Sequence, residues 1–490
     1  MSRAEGLSLY EGFGGLQDGG VDLSDFQTQL AQDRISRTMT FQKITRPSIA
    51  RLCKRTIAKM EEQQFNESSP FLDVDYACKV LDKLDQTELT DFLKNVTECA
   101  EKNQKVMTKF LESTEIAQKL TAALGSGLPE PLIILLLNTI ADLYPISTDT
   151  QITYIDEGIC FQFFDFLESD SSDLVIAAIG LIGVLSQYNS YARDAIMCND
   201  IHLTLINIAQ TSSNKEVVEA ACESLSHMFE NPEPIDTSIL LDCINPMIPL
   251  LNLESEDALQ SVLVCFIDIS SQNPTTIISI FDLNLYPKII DLLPNHNLTS
   301  TVLRLIRNMA IAQPSQIEKM LSIGLFPKLV DLLTTEFTAD VYWVLTSFLE
   351  AVPTMMMKLF TSEFIDNSID IAAYSSFNVK KEASYFLATT VMFADETKIK
   401  MLMKEDLIRV FIEMLNGEIV LIILRVIDSI IHFINLLTAE GNTYDRKFMK
   451  PLYEENGEKA VQQLLNSSQQ TVAERAQYFN EQIQTLKDSL

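Results

Sequence analysis

The sequence predicts an all-α protein, a right-handed superhelical solenoid of about nine or ten armadillo-type repeats, and three observations lead to this fold class. The chain has 490 residues, of which 47% are hydrophobic, so a long continuous core can form. Glycine (15) and proline (16) are scarce, whereas a sandwich or barrel needs a turn about every ten residues. The third observation is an internal repeat.

The repeat consists of apolar helical segments that return at an even spacing. Phrases such as ICFQFFDFL (159–167), YPKIIDLL (286–293) and FPKLVDLL (326–333) mark successive units. Aligning the long apolar helices gives one equivalent position per unit: Thr139, Val184, His227, Ile269, Asn308, Ser347, Thr389 and His432. The steps are 45, 43, 42, 39, 39, 42 and 43 residues, which is typical of armadillo and HEAT repeats. Such units bury their apolar faces only by stacking, and the stack presents a long concave surface.

The order of the chain predicts four segments. Residues 1–30, which include GFGGLQDGG, are expected to be flexible. Residues 31–65 form a polar, basic arm that Arg46-Pro47 interrupts, because a residue before proline avoids the helical conformation. The repeat array is predicted over 66–482, followed by a short tail at 483–490.

The charge is divided unevenly along the chain. The formal net charge is −30, yet the arm from 34 to 59 contains eight cations and no acid. These cations are Arg34, Arg37, Lys43, Arg46, Arg51, Lys54, Arg55 and Lys59. The rest of the chain therefore carries about −38, the difference between −30 and +8. A body of this charge repels nucleic acid and attracts basic peptides, so the arm is a ligand for the body or for an acidic partner, or simply a solvated extension.

Neither cysteine nor histidine is arranged as a metal site. The eight cysteines occur singly, without a Cys-x-x-Cys pair, and are expected to be small buried hydrophobes in a reducing compartment. The four histidines, His202, His227, His296 and His432, are too far apart for a local metal motif and are expected to be structural. We predict no metal and no cofactor.

No segment predicts membrane insertion or catalysis. The polar, Gly-rich N-terminus is unlike a signal peptide. The most apolar stretch, 419–437, contains Arg425, Asp428 and His432, which favours a buried core helix of a soluble protein over a membrane span. Gly-x-Ser-x-Gly and Walker motifs are absent from the sequence, so we do not expect an enzyme.

Five segments resemble importin-α, the family of adaptors that carry nuclear-localisation-signal cargo. They are YARDAI (191–196), TVLRLIRNMA (301–310), YWVLTSFLEA (342–351), SFNVKKEASYFLATTV (376–391) and YEENGEKAVQQLLNSSQQTVAERAQYF (453–479). The resemblance covers about residues 90 to 480. It implies an adaptor of the cytoplasm and nucleus whose concave groove binds basic cargo peptides. The basic arm would bind an importin-β-like carrier, with Lys54-Arg55 placed to occupy the groove.

The family's groove carries Trp-x-x-x-Asn pairs, and most of them are missing from this sequence. The first half reads Leu135/Thr139, Gly180/Val184, Glu223/His227 and Cys265/Ile269, with Tyr144 and Tyr188 as possible displaced aromatics. The second half keeps more of the pattern, so its pairs are the predicted cargo-peptide residues: Arg304, Asn308, Trp343, Ser347, Tyr385 and Thr389. Rings can hold lysine stems between them, and amides can fix the peptide backbone.

Alternatives remain open for these residues and for the whole chain. Trp343 could be a core tryptophan, Asn308 a core amide, and Lys381 and Glu382 a solvated pair. Because most Trp-x-x-x-Asn pairs are missing, the protein could also be an armadillo scaffold that has lost signal-peptide recognition and binds another protein partner.

Overall fold

A computed structural model describes residues 70–102, 104–230, 232–439 and 442–488. Within these ranges every regular element is an α-helix or a short 3₁₀ helix, as the all-α prediction requires. The predicted flexible segment 1–30 and basic arm 31–65 lie outside the described residues. The chain divides into two compact units, Gln42–Ile289 and Ile290–Leu490, which are described separately.

Among its described residues, the unit Gln42–Ile289 contains fourteen helices and ends inside a fifteenth. These are α1 (Val74–Lys83), α2 (Gln86–Lys102), α3 (Gln104–Phe110), α4 (Thr114–Leu124), α5 (Glu130–Leu143), α6 (Gln151–Asp156), α7 (Ile159–Leu167), α8 (Ser172–Tyr188), α9 (Ser190–Cys198), α10 (Ile201–Thr211), α11 (Lys215–Glu230), α12 (Thr237–Met247), α13 (Glu256–Gln272), α14 (Pro274–Asp282) and α15 (Tyr286–Asp291). Two 3₁₀ helices, Pro70–Leu72 and Ile248–Asn252, complete it.

The unit Ile290–Leu490 contains twelve further helices among its described residues. These are α16 (His296–Met309), α17 (Pro314–Ser322), α18 (Leu325–Asp331), α19 (Thr338–Ala351), α20 (Pro353–Leu359), α21 (Ser362–Tyr374), α22 (Phe377–Phe393), α23 (Glu396–Leu402), α24 (Glu405–Leu415), α25 (Val420–Thr438), α26 (Glu455–Leu465) and α27 (Gln470–Asp488). It also has 3₁₀ helices at Leu332–Thr334 and Arg446–Tyr453.

Most repeats consist of a short first helix, a second helix and a long third helix, as in α6, α7 and α8. The turn between the first two helices requires a positive φ, which glycine and asparagine tolerate best. Gly158, Asp200, Asn284 and Gly324 occupy this turn, with φ between 55° and 89°. The repeat containing Pro246 differs, because α12 and the following 3₁₀ helix replace its first two helices.

The third helices begin where a side chain caps the exposed backbone N–H groups. Ser171, Ser255 and Asn295 accept such hydrogen bonds at the starts of α8, α13 and α16. Neighbouring third helices then pack along their length. One close approach is at Gly183 of α8, where a Cβ atom would lie 3.2 Å from the Cα of Ser224 on α11.

Arg193 joins two repeats of the first unit although its side chain is almost fully buried. Its guanidinium donates to the carbonyl oxygens of Glu233 at 2.6 Å and Pro234 at 3.3 Å, and its Nε donates to Asp194 at 2.9 Å. This is the arginine of the YARDAI phrase, so a buried structural role accounts for it.

The apolar helix α25 lies in the core of the second unit. By length and composition it is the one helix of the described ranges that could cross a membrane, but 67% of its apolar window is buried in the protein. Its polar residues Arg425 and Asp428 pair with Glu350 of α19 and Arg475 of α27. The sequence predicted such a buried core helix.

The last helix extends past the predicted end of the array at residue 482. Ile483 and Leu486 are buried, and they continue the apolar stripe of Val472, Ala476 and Phe479 at spacings of three and four residues. The predicted tail 483–490 therefore began too early, because α27 needs this last turn to complete its packing.

Candidate peptide-binding surface on the third helices

The predicted cargo residues lie on three successive third helices of the second unit. Arg304 and Asn308 are on α16, Trp343 and Ser347 on α19, and Tyr385 and Thr389 on α22. Only Arg304 is partly exposed; the other five are buried, with Trp343 at 6% exposure and Tyr385 at 3%. The helices thus bring the residues onto adjacent elements, but with their side chains turned into the packing between helices.

The ring of Trp343 is already covered by a cation of the protein itself. The guanidinium carbon of Arg307 lies 4.3 Å from the ring centroid, and its Nη1 donates to Asp340 at 2.6 Å. Burial lowers the pKa of Arg307 to about 10, although Asp340 and Glu382 act in the opposite direction. An arginine therefore makes the cation–π contact that was predicted for a cargo lysine.

Tyr385 has an equivalent internal partner. Arg425 lies 5.5 Å above its ring and donates to its hydroxyl at 3.3 Å, while that hydroxyl donates to Glu350 at 3.4 Å. Arg425 and Glu350 are 3.9 Å apart, and both are buried. The hydroxyl of Ser347 donates to the carbonyl of Trp343 at 3.0 Å, within its own helix.

The same kind of cluster recurs at the next pair of third helices. The Nε of Arg475 on α27 donates to Asp428 of α25 at 2.7 Å, and its guanidinium lies 5.3 Å from the ring of Tyr478. Three buried or half-buried arginines thus each contact both a carboxylate and an aromatic ring, and we call them the internal arginine ladder: Arg307, Arg425 and Arg475. Since a peptide would have to displace two of these arginines to reach the rings, the predicted cargo site stays a prediction.

We call the positions of the Trp-x-x-x-Asn pairs the ladder positions. Those on the third helices of the first unit hold no tryptophan, tyrosine or phenylalanine. Gly180 is exposed, with no atom within 4 Å of where its Cβ would be, and Glu223 is exposed. Thr139 lies buried with its hydroxyl 3.2 Å from that of Thr97, one repeat earlier. Cys265 is fully buried, and burial raises the pKa of its thiol. The face formed by these third helices is therefore solvent-exposed at Gly180 of α8 and Glu223 of α11, and we call it the open face.

A row of acids and amides accompanies this open face. Asp142, Gln187 and Glu230 each lie three residues after a ladder position, on α5, α8 and α11, and Glu101 lies on α2. Gln187 donates to Glu230 at 3.4 Å. The pKa of Asp142 is raised by partial burial and by the nearby charge of Glu101. We call these four residues the acid–amide row.

The sequence contained a sign of this row that the ladder alignment missed. Asp142, Gln187 and Glu230 follow one another at 45 and 43 residues, the same steps as the ladder itself. These polar residues lie one helical turn after the ring and amide positions, so a comparison of those positions alone does not reveal them.

Two smaller expectations have structural outcomes. Tyr144 is buried, with its ring centroid 5.7 Å from that of Tyr154, so it belongs to the core and is not a displaced groove aromatic; Tyr188 is half-buried. Lys381 and Glu382 form an ion pair at 3.6 Å with both side chains partly buried.

The titratable residues of the described ranges are mainly structural. Burial lowers the pKa of His202, His227 and His432, which favours neutral imidazoles. Six of the seven described cysteines are buried, but Cys198 is exposed, contrary to the expectation for all of them. No three histidine, cysteine or acidic residues in the described part of the chain are grouped as metal ligands.

The final repeat has a polar groove of its own. A groove of about 880 Å³ lies between α26 and α27, with amide side chains along its walls: Gln462, Gln463, Asn466, Asn480 and Gln484. A polar outer surface is what the last repeat of a stack needs for contact with water.

The charge of the open face is set by an unusual stretch of sequence. Between Lys119 and Lys215 the sole cation is Arg193, whose side chain is 1% exposed and bound to carbonyl oxygens and Asp194. The repeats spanned by this stretch thus expose carboxylates without compensating cations.

Comparison with known proteins supports the fold but does not indicate a particular function. No protein-family model and no curated protein matches the sequence. Among solved structures, one engineered protein is similar with a TM-score of 0.69 at 16% identity, covering 86% of this chain and 99% of that one. A designed armadillo repeat protein (TM-score 0.42, 15% identity) and another engineered protein (TM-score 0.43, 18% identity) cover 47% and 49% of this chain, and 99% and 96% of their own.

The chain is an all-α solenoid built of armadillo-type repeats, with three helices in most units and a period near 42 residues. Proteins of this architecture are scaffolds whose stacked helices offer extended surfaces for binding other proteins.

Proposed function

We propose that this protein is a binding scaffold that holds a basic polypeptide along the third helices of the unit Gln42–Ile289. The acid–amide row is the observation that carries the proposal. It places a carboxylate or an amide on each of four successive third helices, and its two middle members, Asp142 and Gln187, lie in the stretch of the chain whose sole cation is buried.

The chemistry of the row suits an extended basic chain. Carboxylates of Glu101, Asp142 and Glu230 would pair with lysine or arginine side chains, and the amide of Gln187 can bond to a peptide backbone. Partial burial, and after it the nearby charge of Glu101, raise the pKa of Asp142, so an added cation would relieve the repulsion between the two carboxylates. The net charge of −30 would also speed the arrival of a basic partner.

A labelled lysine- and arginine-rich peptide, titrated against the full chain and followed by fluorescence anisotropy, tests the proposal. We expect micromolar binding that weakens as salt is raised, because the contacts are charge pairs. The double variant Asp142→Asn/Glu230→Gln should weaken binding about tenfold, equivalent to about 1.4 kcal/mol. The matched control Asp242→Asn/Glu254→Gln removes the same charge from exposed positions outside the row and should change affinity little. Equal effects of both pairs would contradict a site at the row.

A narrower version of the function is an importin-α-like adaptor for protein import into the nucleus. It rests on the resemblance and on the basic arm, which would recruit an importin-β-like carrier. In this version the peptide is nuclear-localisation cargo, bound at the predicted residues of the second unit, and the protein works in both cytoplasm and nucleus.

Trp343 can separate the two versions because it is the single tryptophan of the chain. Cargo that inserts beside Trp343 must move Arg307 and therefore change the fluorescence of the tryptophan. A peptide bound on the acid–amide row leaves this fluorescence unaltered. Binding with no change at Trp343 therefore favours the scaffold, and binding that follows Trp343 favours the adaptor.

The carrier is tested separately from the cargo. An importin-β-like carrier should be retained by the full chain and lost from the variant Lys54→Ala/Arg55→Ala. Equal retention by both proteins would remove the carrier role from the arm, without affecting the peptide titration.

A further inference from the structure

Four large apolar side chains are exposed on first and second helices of two consecutive repeats in the unit Gln42–Ile289. They are Ile152 (47% exposed), Phe161 (71%), Tyr191 (51%) and Leu203 (37%), on α6, α7, α9 and α10. We call them the H1/H2 patch. Exposed large apolar residues that cluster in this way mark interaction surfaces.

The two rings of the patch lie beside one turn. The hydroxyl of Tyr191 donates to Asp156 at 3.1 Å, and the ring of Phe161 lies 3.4 Å from the Cβ position of Gly158. Both rings thus lie close to the segment 156–158.

Leu203 extends the patch by one repeat. It follows Asp200 by three residues, as Phe161 follows Gly158, and both Asp200 and Gly158 adopt the positive φ of the turn between first and second helices. Phe161 and Leu203 therefore occupy equivalent positions of successive second helices.

Carboxylates surround these apolar side chains. Asp156, Asp165, Asp194 and Asp200 are exposed on the same four helices or the turns that join them. Arg193, the sole cation of this stretch, is buried and bound to carbonyl oxygens. A fitting ligand must combine aliphatic side chains with several positive charges and carry no acid.

A segment of the chain itself has this composition. Residues 43–59 contain six of the arm's eight cations and no acid, with Ile44, Ile49, Leu52 and Ile57 spaced between them. We propose that residues 43–59 dock on the H1/H2 patch, with their aliphatic side chains against Phe161 and Leu203 and their cations beside the surrounding carboxylates.

The connecting chain is long enough for this. The ten residues between Lys59 and Pro70 span at most about 35 Å when extended. The described chain begins at the repeat of α1, and the second helix α7 follows two repeats later. With packed helices about 8–10 Å apart, the patch begins within about 20 Å of the repeat of α1.

This docking is independent of the proposed function. The acid–amide row lies on third helices, whereas the H1/H2 patch lies on first and second helices. Loss of peptide binding at the row would leave arm docking untouched, and the reverse also holds.

Two cysteines of the native chain provide the test. Cys53 lies within the proposed ligand, and Cys198 is exposed at the end of α9, seven residues after Tyr191; the other described cysteines are buried. A short bis-maleimide added to the full chain should link Cys53 to Cys198 within one molecule, as identified by mass spectrometry of the monomer. Cys198→Ser should abolish this product.

The rate of linking separates docking from chance encounters of a tethered arm. The variant Phe161→Ser/Leu203→Ser should lower the rate about tenfold, toward that of an undocked tether, and high salt should also lower it. The control Ile278→Ser/Leu283→Ser, which removes two exposed apolar side chains elsewhere in the unit, should leave the rate unchanged. Circular dichroism checks that each variant is folded.

Two results would overturn the proposal. One is an equal linking rate in the wild type and the patch variant, with both cysteines reactive toward a monofunctional maleimide. The other is a Cys53–Cys198 product that forms only between molecules and grows with protein concentration.

Discussion

The internal arginine ladder shows how single residues decide what the second unit can bind. Arg425 and Glu350 are buried at 5% and 0% exposure, and Tyr385 connects them. A charge buried without its partner is strongly destabilising, whereas removal of both charges is often tolerated.

We therefore expect Arg425→Met to lower the free energy of unfolding by about 3–5 kcal/mol, because it leaves Glu350 buried without its cation. Adding Glu350→Leu should restore much of the loss. Urea denaturation measures both. Arg409→Met is the matched control, since Arg409 pairs with Glu454 at 2.8 Å on the surface and should cost less than about 1 kcal/mol. Equal losses for Arg425→Met and Arg409→Met would show that the buried pair contributes no more than an exposed one.

At the scale of elements, the packing of third helices depends on small residues at close contacts. Gly180 and Gly183 lie one turn apart on α8 and face different surroundings. A Cβ at Gly183 would lie 3.2 Å from the Cα of Ser224 and 3.3 Å from the ring of His227, whereas a Cβ at Gly180 meets nothing within 4 Å.

This contrast gives a paired prediction. Gly183→Val should lower the stability of the first unit by about 1–3 kcal/mol, because α8 and α11 must move apart. Gly180→Ala should raise it by about 0.4–1 kcal/mol, because alanine restricts the unfolded chain and meets no clash. Thermal unfolding of the two variants checks both signs, and destabilisation by Gly180→Ala would contradict the open helix face described at that position.

For the whole molecule, one buried and two half-buried histidines predict a loss of stability in mild acid. Burial lowers the pKa of His202, His227 and His432 in the folded protein, while the unfolded value is about 6.5. Below about pH 6.5 the unfolded chain therefore binds more protons than the folded one. The stability that depends on the neutral histidines is fully present above this pH. It is lost as the pH falls through the lowered pKa values of the folded protein.

Melting temperatures recorded between neutral pH and mild acid test this sign. The wild type should lose stability more steeply on acidification than the variant His202→Gln/His227→Gln/His432→Gln. His296→Gln is the control, because His296 is exposed beside Glu336, and it should follow the wild-type curve. Parallel curves for the wild type and the triple variant would assign the acid sensitivity to other groups.

The amino-acid sequence was sufficient to predict the helices and their repetition. Spaced apolar residues, few breakers and a 42-residue period suffice, because each helix needs an apolar stripe and each repeat the same turn. It also indicated the core role of α25 and the acidic character of the body. The predicted end of the repeat array at residue 482 was too early, because the last turns of α27 are mostly polar and the apolar stripe that Ile483 and Leu486 complete is weak in the sequence.

The partners of the polar residues follow from the packing of the helices and could not be predicted from the sequence. Arg307, Arg425 and Arg475 lie far in sequence from the acids they meet across the stack, so no local pattern distinguishes them from surface cations. The same holds for Asp142 and Glu230, whose shared helix face exists only once the repeats are stacked. Periodicity fixes which residues repeat, but which cation covers which ring depends on the rotation and contact of neighbouring helices, and these are set by packing.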